Sequence, residues 1–175
     1  TAVIVDHDTE LQFENDRRSV LPAPAFPLGR EPVVVDDQGR ALTEMAVQKQ
    51  RDGDTGIVAQ TEDGRLLFVR FTTSTSFLTG ETEIEREAWT LPRPGRDLDF
   101  LQLTANLWSL VGIDAGGNLL YWDLSDPDRA VLRDRAVVIQ GDERVTAMRM
   151  LNGTFSMVVG TSTGRLEQWF LVRDE

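Results

Sequence analysis

Three glycines set the frame of this chain. Gly64, Gly117 and Gly164 each follow one short apolar run and precede another. The runs before them are Ile57-Val58-Ala59, Leu110-Val111-Gly112 and Met157-Val158-Val159. Leu66, Leu119 and Leu166 follow closely, and Val69, Trp122 and Trp169 come three positions later. By numbering the glycines lie 53 and 47 residues apart. An apolar run, a glycine turn and a second apolar run read as a β-hairpin. Glycine there supplies a positive φ that a residue with a Cβ resists. Hairpins recurring at such a spacing point to an all-β repeat, in which each copy buries its faces against its neighbours.

A period of about 40–50 residues around one central hairpin is that of a β-propeller blade, a four-stranded antiparallel sheet. Strand candidates fill the pattern. The first blade takes residues 41–48, 55–61, 65–71 and 82–90; a strand candidate at 31–35, with the β-branched run Val33-Val34-Val35, precedes them. Residues 41–48 alternate poorly and have some helix propensity, but their place in the repeat argues for a strand. The second blade takes 98–103, 107–113, 118–124 and 130–139, with a turn at Ser125-Asp126-Pro127-Asp128. The third opens at 145–150 and has no outer strand. The expected fold is therefore all-β and β-propeller-like, with about three four-stranded blades at 31–90, 97–140 and 145–175. Closed propellers have about 4–8 blades, so three leave two exposed sheet faces and an unpaired edge. The rest of a parent protein, an N-terminal strand of this chain or a neighbour, or assembly of several copies into one ring would each complete it. Residues 1–30 read as a terminal segment, with strand candidates at 2–5 and 11–13. A connector at 21–28 carries Pro22, Pro24 and Pro27.

Charge and composition narrow the function. Eighteen basic and 29 acidic residues give a net charge of −11, which repels nucleic acid and anionic membranes. The absence of cysteine excludes disulfides, thiol catalysis and cysteine-based zinc sites. His7, the only histidine, stands in Asp6-His7-Asp8. This reads as a solvated turn and not a metal site, because no loop has the alternating Asp/Asn and glycine of a calcium loop. No stretch is long and apolar enough to span a membrane. Neither a nucleophile motif nor a cofactor motif is present, so no enzyme activity and no cofactor are expected.

Phosphate binding calls for a glycine-rich loop before a helix, or an arginine cluster. Gly112, Gly116 and Gly117 belong to a strand and a hairpin instead. Arg93 with Arg96, and Arg133 with Arg135, read as solvated surface charge. Trp108, Trp122 and Trp169 occupy repeat positions and are expected in the core. Trp89 stands among Glu83, Glu85 and Glu87 on the candidate outer strand of the first blade, and is the residue assigned to a protein contact.

Two stretches carry resemblances. Tyr121-Trp122-Asp123-Leu124 resembles the Trp-Asp ending of a WD40 repeat, without the Gly-His dipeptide usual in that family. Val145-Thr146-Ala147, Val158-Val159-Gly160, Thr163-Gly164-Arg165 and residues 168–174 (QWFLVRD) resemble the end of the propeller-like insertion in large phosphate ABC transporter permeases of proteobacteria. That insertion follows the first transmembrane helix and faces the periplasm. The resemblance implies a non-catalytic extramembrane interaction or regulatory domain at the inner membrane. Its partner would be the phosphate-binding protein, another transporter subunit or a second copy of itself. The alternative is a stand-alone WD40-like scaffold in the cytoplasm.

Overall fold

Gly64, Gly117 and Gly164 take φ values of 75°, 70° and 84°, the left-handed region that the repeat demands of them. The structure, a computed structural model, describes residues 9–14, 17–22, 34–50, 53–79, 82–151 and 156–170. Each glycine N–H donates to the carbonyl three residues back, at Thr61 (2.8 Å), Asp114 (2.8 Å) and Thr161 (3.0 Å). This is a type I turn closed by a left-handed glycine.

The chain forms two units, Thr1–Gly39 and Arg40–Glu175. In the first, β1 (Thr9–Glu14) and β2 (Arg17–Pro22) pair as an antiparallel hairpin. The candidate at 11–13 lies inside β1. The polar residues at 17–18 and the start of the Pro-rich connector form β2, which the sequence reading missed; Pro22 ends it, where its lack of an N–H costs least. Of the strand expected at 31–35, residues 31–33 lie outside the described residues, and Val34 and Val35 are not in a strand. Beside them Gly39 N–H donates to Asp36 O at 3.0 Å and closes a turn. The candidate at 2–5 and the Asp6-His7-Asp8 segment lie outside the described residues.

The second unit contains three up-and-down antiparallel sheets. The first runs β3 (Leu42–Lys49), β4 (Thr55–Thr61), β5 (Leu66–Thr75) and β6 (Thr82–Leu91). The second runs β7 (Leu98–Leu103), β8 (Ser109–Asp114), β9 (Asn118–Asp123) and β10 (Val131–Val137). A 3-10 turn at Pro127–Arg129 joins its last two strands. The third runs β11 (Val145–Met150), β12 (Ser156–Thr161) and β13 (Leu166–Phe170). The architecture is all-β, with four, four and three strands per sheet, and no ring closes among the described residues.

The sheets repeat in detail. A bulge interrupts the first pair of each, between Leu42 and Glu44, Leu98 and Phe100, and Val145 and Ala147. In each case the residue before the bulge faces the first turn residue: Thr61, Asp114 or Thr161. The next N–H in each turn donates back to the residue preceding the first strand. Glu62 bonds Ala41 O (2.9 Å), Ala115 bonds Asp97 O (3.0 Å) and Ser162 bonds Arg144 O (2.9 Å). Pairing of β3 with β4 along seven residues overrides the helix propensity of 42–48.

The middle sheet is buried on both faces. One core joins it to the first sheet through Val58, Leu66, Phe68, Leu101, Leu110 and Trp122. The other joins it to the third through Val111, Ile113, Met148, Met157 and Val159. Leu110, Gly112 and then Val111, Ile113 alternate along β8, so one strand serves both cores. Ile57, Ala59, Val69 and Phe71, on the opposite face of the first sheet, are buried as well. On that same face Met45, Val47 and Ile84 are exposed, so its burial is confined to the central strands β4 and β5.

Candidate interaction site

Trp89, the residue singled out in the sequence, is held at several points. Its ring stacks on Phe68 with centroids 5.4 Å apart. The guanidinium carbon of Arg70 sits 5.3 Å from the ring centre. Trp89 Nε1–H donates to Asp128 Oδ1 at 3.0 Å, in the 3-10 turn of the second sheet. Arg70 in turn bridges to Glu87 at 2.5 Å. The half-buried indole therefore ties the outer strand of one sheet to the outer connection of the next, with one edge in solvent.

The other tryptophans divide. Trp122 is fully buried and donates from Nε1 to Pro92 O at 2.9 Å. Trp169 packs partly buried on the second core. Trp108 is 56% exposed, so its expected core position is corrected. The reason is the preceding residue: Leu107 adopts φ 60° and turns its own side chain inward. Leu107 fills the space that Gly56 leaves, where a Cβ would stand 2.7 Å from Leu107 Cδ2. Trp108 is turned outward, its N–H bound to Asn106 Oδ1 at 3.1 Å.

The arginine pairs do not converge into an anion site. Arg133 bridges Asp123 at 3.1 Å and Arg135 approaches Asp114 at 3.7 Å. Arg93 and Arg96 lie over the turns at Gly64 and Gly116 respectively. Arg165 is locked by Glu143. The Glu143 carboxylate accepts from Arg165 Nη2 at 2.5 Å, from Gln140 N at 3.0 Å, from Thr161 Oγ1 at 3.2 Å and from Thr163 Oγ1. Arg165 foremost, then Thr163, hold the Glu143 carboxyl at a pKa of about 2, below its ordinary 4.5. This cluster clamps the linker at 138–144 to the third glycine turn.

A polar cleft of about 310 Å3 opens between the first two sheets, lined by Thr43, Glu44, Gln60, Glu62, Asp97 and Asp99 among others. Gln60, itself buried, spans it: its Nε2 donates to Thr43 Oγ1 (3.0 Å) and its Oε1 accepts from Leu98 N (2.8 Å). Burial, and then the charge of Asp99, raise the Glu44 pKa. A lining of carboxylates repels phosphate. Among the described residues no His, Cys, Asp and Glu cluster is arranged to hold a metal.

Two further surfaces stand out, of which the sequence reading missed the first and expected an exposed face and edge at the second. The first is an arm. β5 and β6 pair over ten residues, from Leu66 with Leu91 to Thr75 with Thr82. β4 accompanies β5 only as far as Phe71. Residues 72–75 and 82–85 therefore project as a two-stranded ribbon. Phe77 and Leu78 are fully exposed at its tip, where Thr79 N–H donates to Ser76 Oγ at 3.3 Å. Glu83 and Glu85 lie on one ribbon face with Thr72 and Ser74. The β-branched Thr72, Thr73 and Thr75 were the available signal for this extension.

The second surface is the outer face of the third sheet. Cross-strand rows place Ala147, Gly160 and Leu166 together, then Arg149, Val158 and Gln168, then Ser156 and Phe170. Leu166 is 73% and Phe170 64% exposed. Arg149 is the one charged residue in these rows, in a chain with 29 acids. β13 also forms the sheet edge, whereas its counterparts β5 and β9 are flanked by β6 and β10.

No family model matches the chain, and no curated protein matches it.

Proposed function

We propose that this chain is a non-catalytic interaction domain of a phosphate ABC transporter permease, on the periplasmic side of the inner membrane. The observation that carries this reading is the third sheet. It holds Val145-Thr146-Ala147, Val158-Val159-Gly160 and Gln168-Trp169-Phe170, which resemble parts of the end of that family's insertion, and it is built as the same unit as the two sheets before it, down to the bulge and the turn hydrogen bonds. In this reading the sheets are blades of a partial propeller. Their first strands lie side by side, β3 by β7 and β7 by β11, as inner strands do around a propeller axis. No helix among the described residues is long and apolar enough to cross a membrane. Transport would therefore be the work of other parts of the permease, and this domain would recruit or regulate. Its partner is the phosphate-binding protein or another transporter subunit, met in part through the solvent edge of Trp89.

Calorimetric titration with a purified periplasmic phosphate-binding protein of a proteobacterial permease tests this. The reading predicts saturable binding, weakened about tenfold or more by Trp89→Ala and unchanged by Trp108→Ala. It predicts no heat from inorganic phosphate alone. Absence of binding at concentrations up to about 1 mM, near the weak end of specific association, would contradict it.

A further inference from the structure

The arm and the outer face of the third sheet are complementary. The arm carries two large apolar side chains, Phe77 and Leu78, with nothing packed on them, and beside them two carboxylates, Glu83 and Glu85, that form no ion pair among the described residues. The face carries Leu166, Phe170 and Val158 around Arg149, whose only hydrogen bond among the described residues is to the carbonyl of Met148. It has no carboxylate. An exposed apolar patch of this kind marks a contact surface. Aromatic anchors set beside an opposite charge are what such a contact is built from.

We propose that the arm of one copy docks on the outer face of the third sheet of a second copy. Phe77 and Leu78 pack against Leu166 and Phe170, and Glu83 and Glu85 approach Arg149. The chain's overall charge of −11 opposes self-association in general. It therefore favours a sheet face that, among the described residues, has no acid and bears a cation. On the outer face of the first sheet the central strands are buried at Ile57, Val69 and Phe71, and the exposed Met45 and Val47 lie on β3 beside them. Arm and face are different surfaces, so the contact is head-to-tail, and copies add in a row or close into a ring. This goes beyond the permease reading and does not depend on it.

Two variants test the proposal by mixing. The first, Phe77→Ser with Leu78→Ser, has no working arm. The second, Leu166→Glu with Phe170→Glu, has no working face. All four positions are exposed, so both variants keep the wild-type circular dichroism. In light scattering the wild-type mass rises with concentration beyond two chains. Each variant alone stays at the mass of one chain. Their equimolar mixture reaches two chains and stops, because one working arm then meets one working face. Arg149→Glu lowers the association of wild type, and pairing it with Glu83→Arg and Glu85→Arg in the arm-bearing partner restores it. A wild-type chain that stays single at every concentration would overturn the proposal. So would variants that associate as wild type does, or a mixture that remains at one chain. None of these outcomes bears on binding of the phosphate-binding protein.

Discussion

Gly117 and Gly164 share a left-handed φ, yet a methyl group at the two positions meets different surroundings. At Gly117 it would run into the branched side chain of Ile139, the linker residue that lies over the turn. At Gly164 it meets nothing within 4 Å. Gly164→Ala is expected to cost only the backbone conformation, about 1–2 kcal/mol. Gly117→Ala should cost about 1–3 kcal/mol more, since Ile139 must be displaced from a packed position. Urea unfolding of the two variants measures the difference. Glu143 gives a second test at this scale. Its folded pKa of about 2 lies below its ordinary 4.5. A depressed carboxyl stabilises the fold above its unfolded pKa, and that contribution is lost as pH falls through the folded value. Glu143→Gln should therefore be less stable than wild type by a constant amount above pH 4.5, with the gap closing towards pH 2. Denaturation followed across that window shows whether the gap closes. The glycines were legible because a left-handed turn leaves few alternatives in sequence. The Glu143 clamp was not, because its side-chain partners lie 18 to 22 residues away.

Strands were readable where apolar alternation and turn residues agreed. β4, β7 and β11 begin and end at the residues that the pattern indicates. Alternation ceases to inform where a bulge or a left-handed residue resets which side chain faces inward. Trp108 shows this: by spacing it belongs to the core, but Leu107 at φ 60° takes that place. Trp108→Ala should accordingly change stability by no more than about 0.5 kcal/mol. Trp122→Ala, at a fully buried site, should cost about 3–5 kcal/mol. Thermal or denaturant unfolding of the pair separates these values. The arm escaped notice for a related reason. Thr72 to Thr75 are polar, and a ribbon that projects beyond its sheet has no buried face to impose a pattern.

Three like units in a row are not alike in what surrounds them. The middle sheet is covered on both faces. In the first, Ile57, Val69 and Phe71 are buried on the outer face while Met45 and Val47 on the same face are exposed. The third has Leu166 and Phe170 exposed on its outer face and β13 at its edge among the described residues, and nothing lies within 4 Å of a methyl placed on Gly164, whereas Arg93 and Ile139 lie over Gly64 and Gly117. The repeat read from sequence already left the third unit without an outer strand, but it could not give the residues that line the exposed face. That asymmetry underlies both the interaction reading and the head-to-tail contact. Native-state hydrogen exchange at a dilution where the chain is single tests it most directly. The account predicts the slowest amides at Leu110–Ile113 of β8, exchanging only with global unfolding, and amides of β13 that exchange by local opening orders of magnitude faster. Protection in β13 equal to that in β9 would contradict it, since the third unit would then be as enclosed as the second.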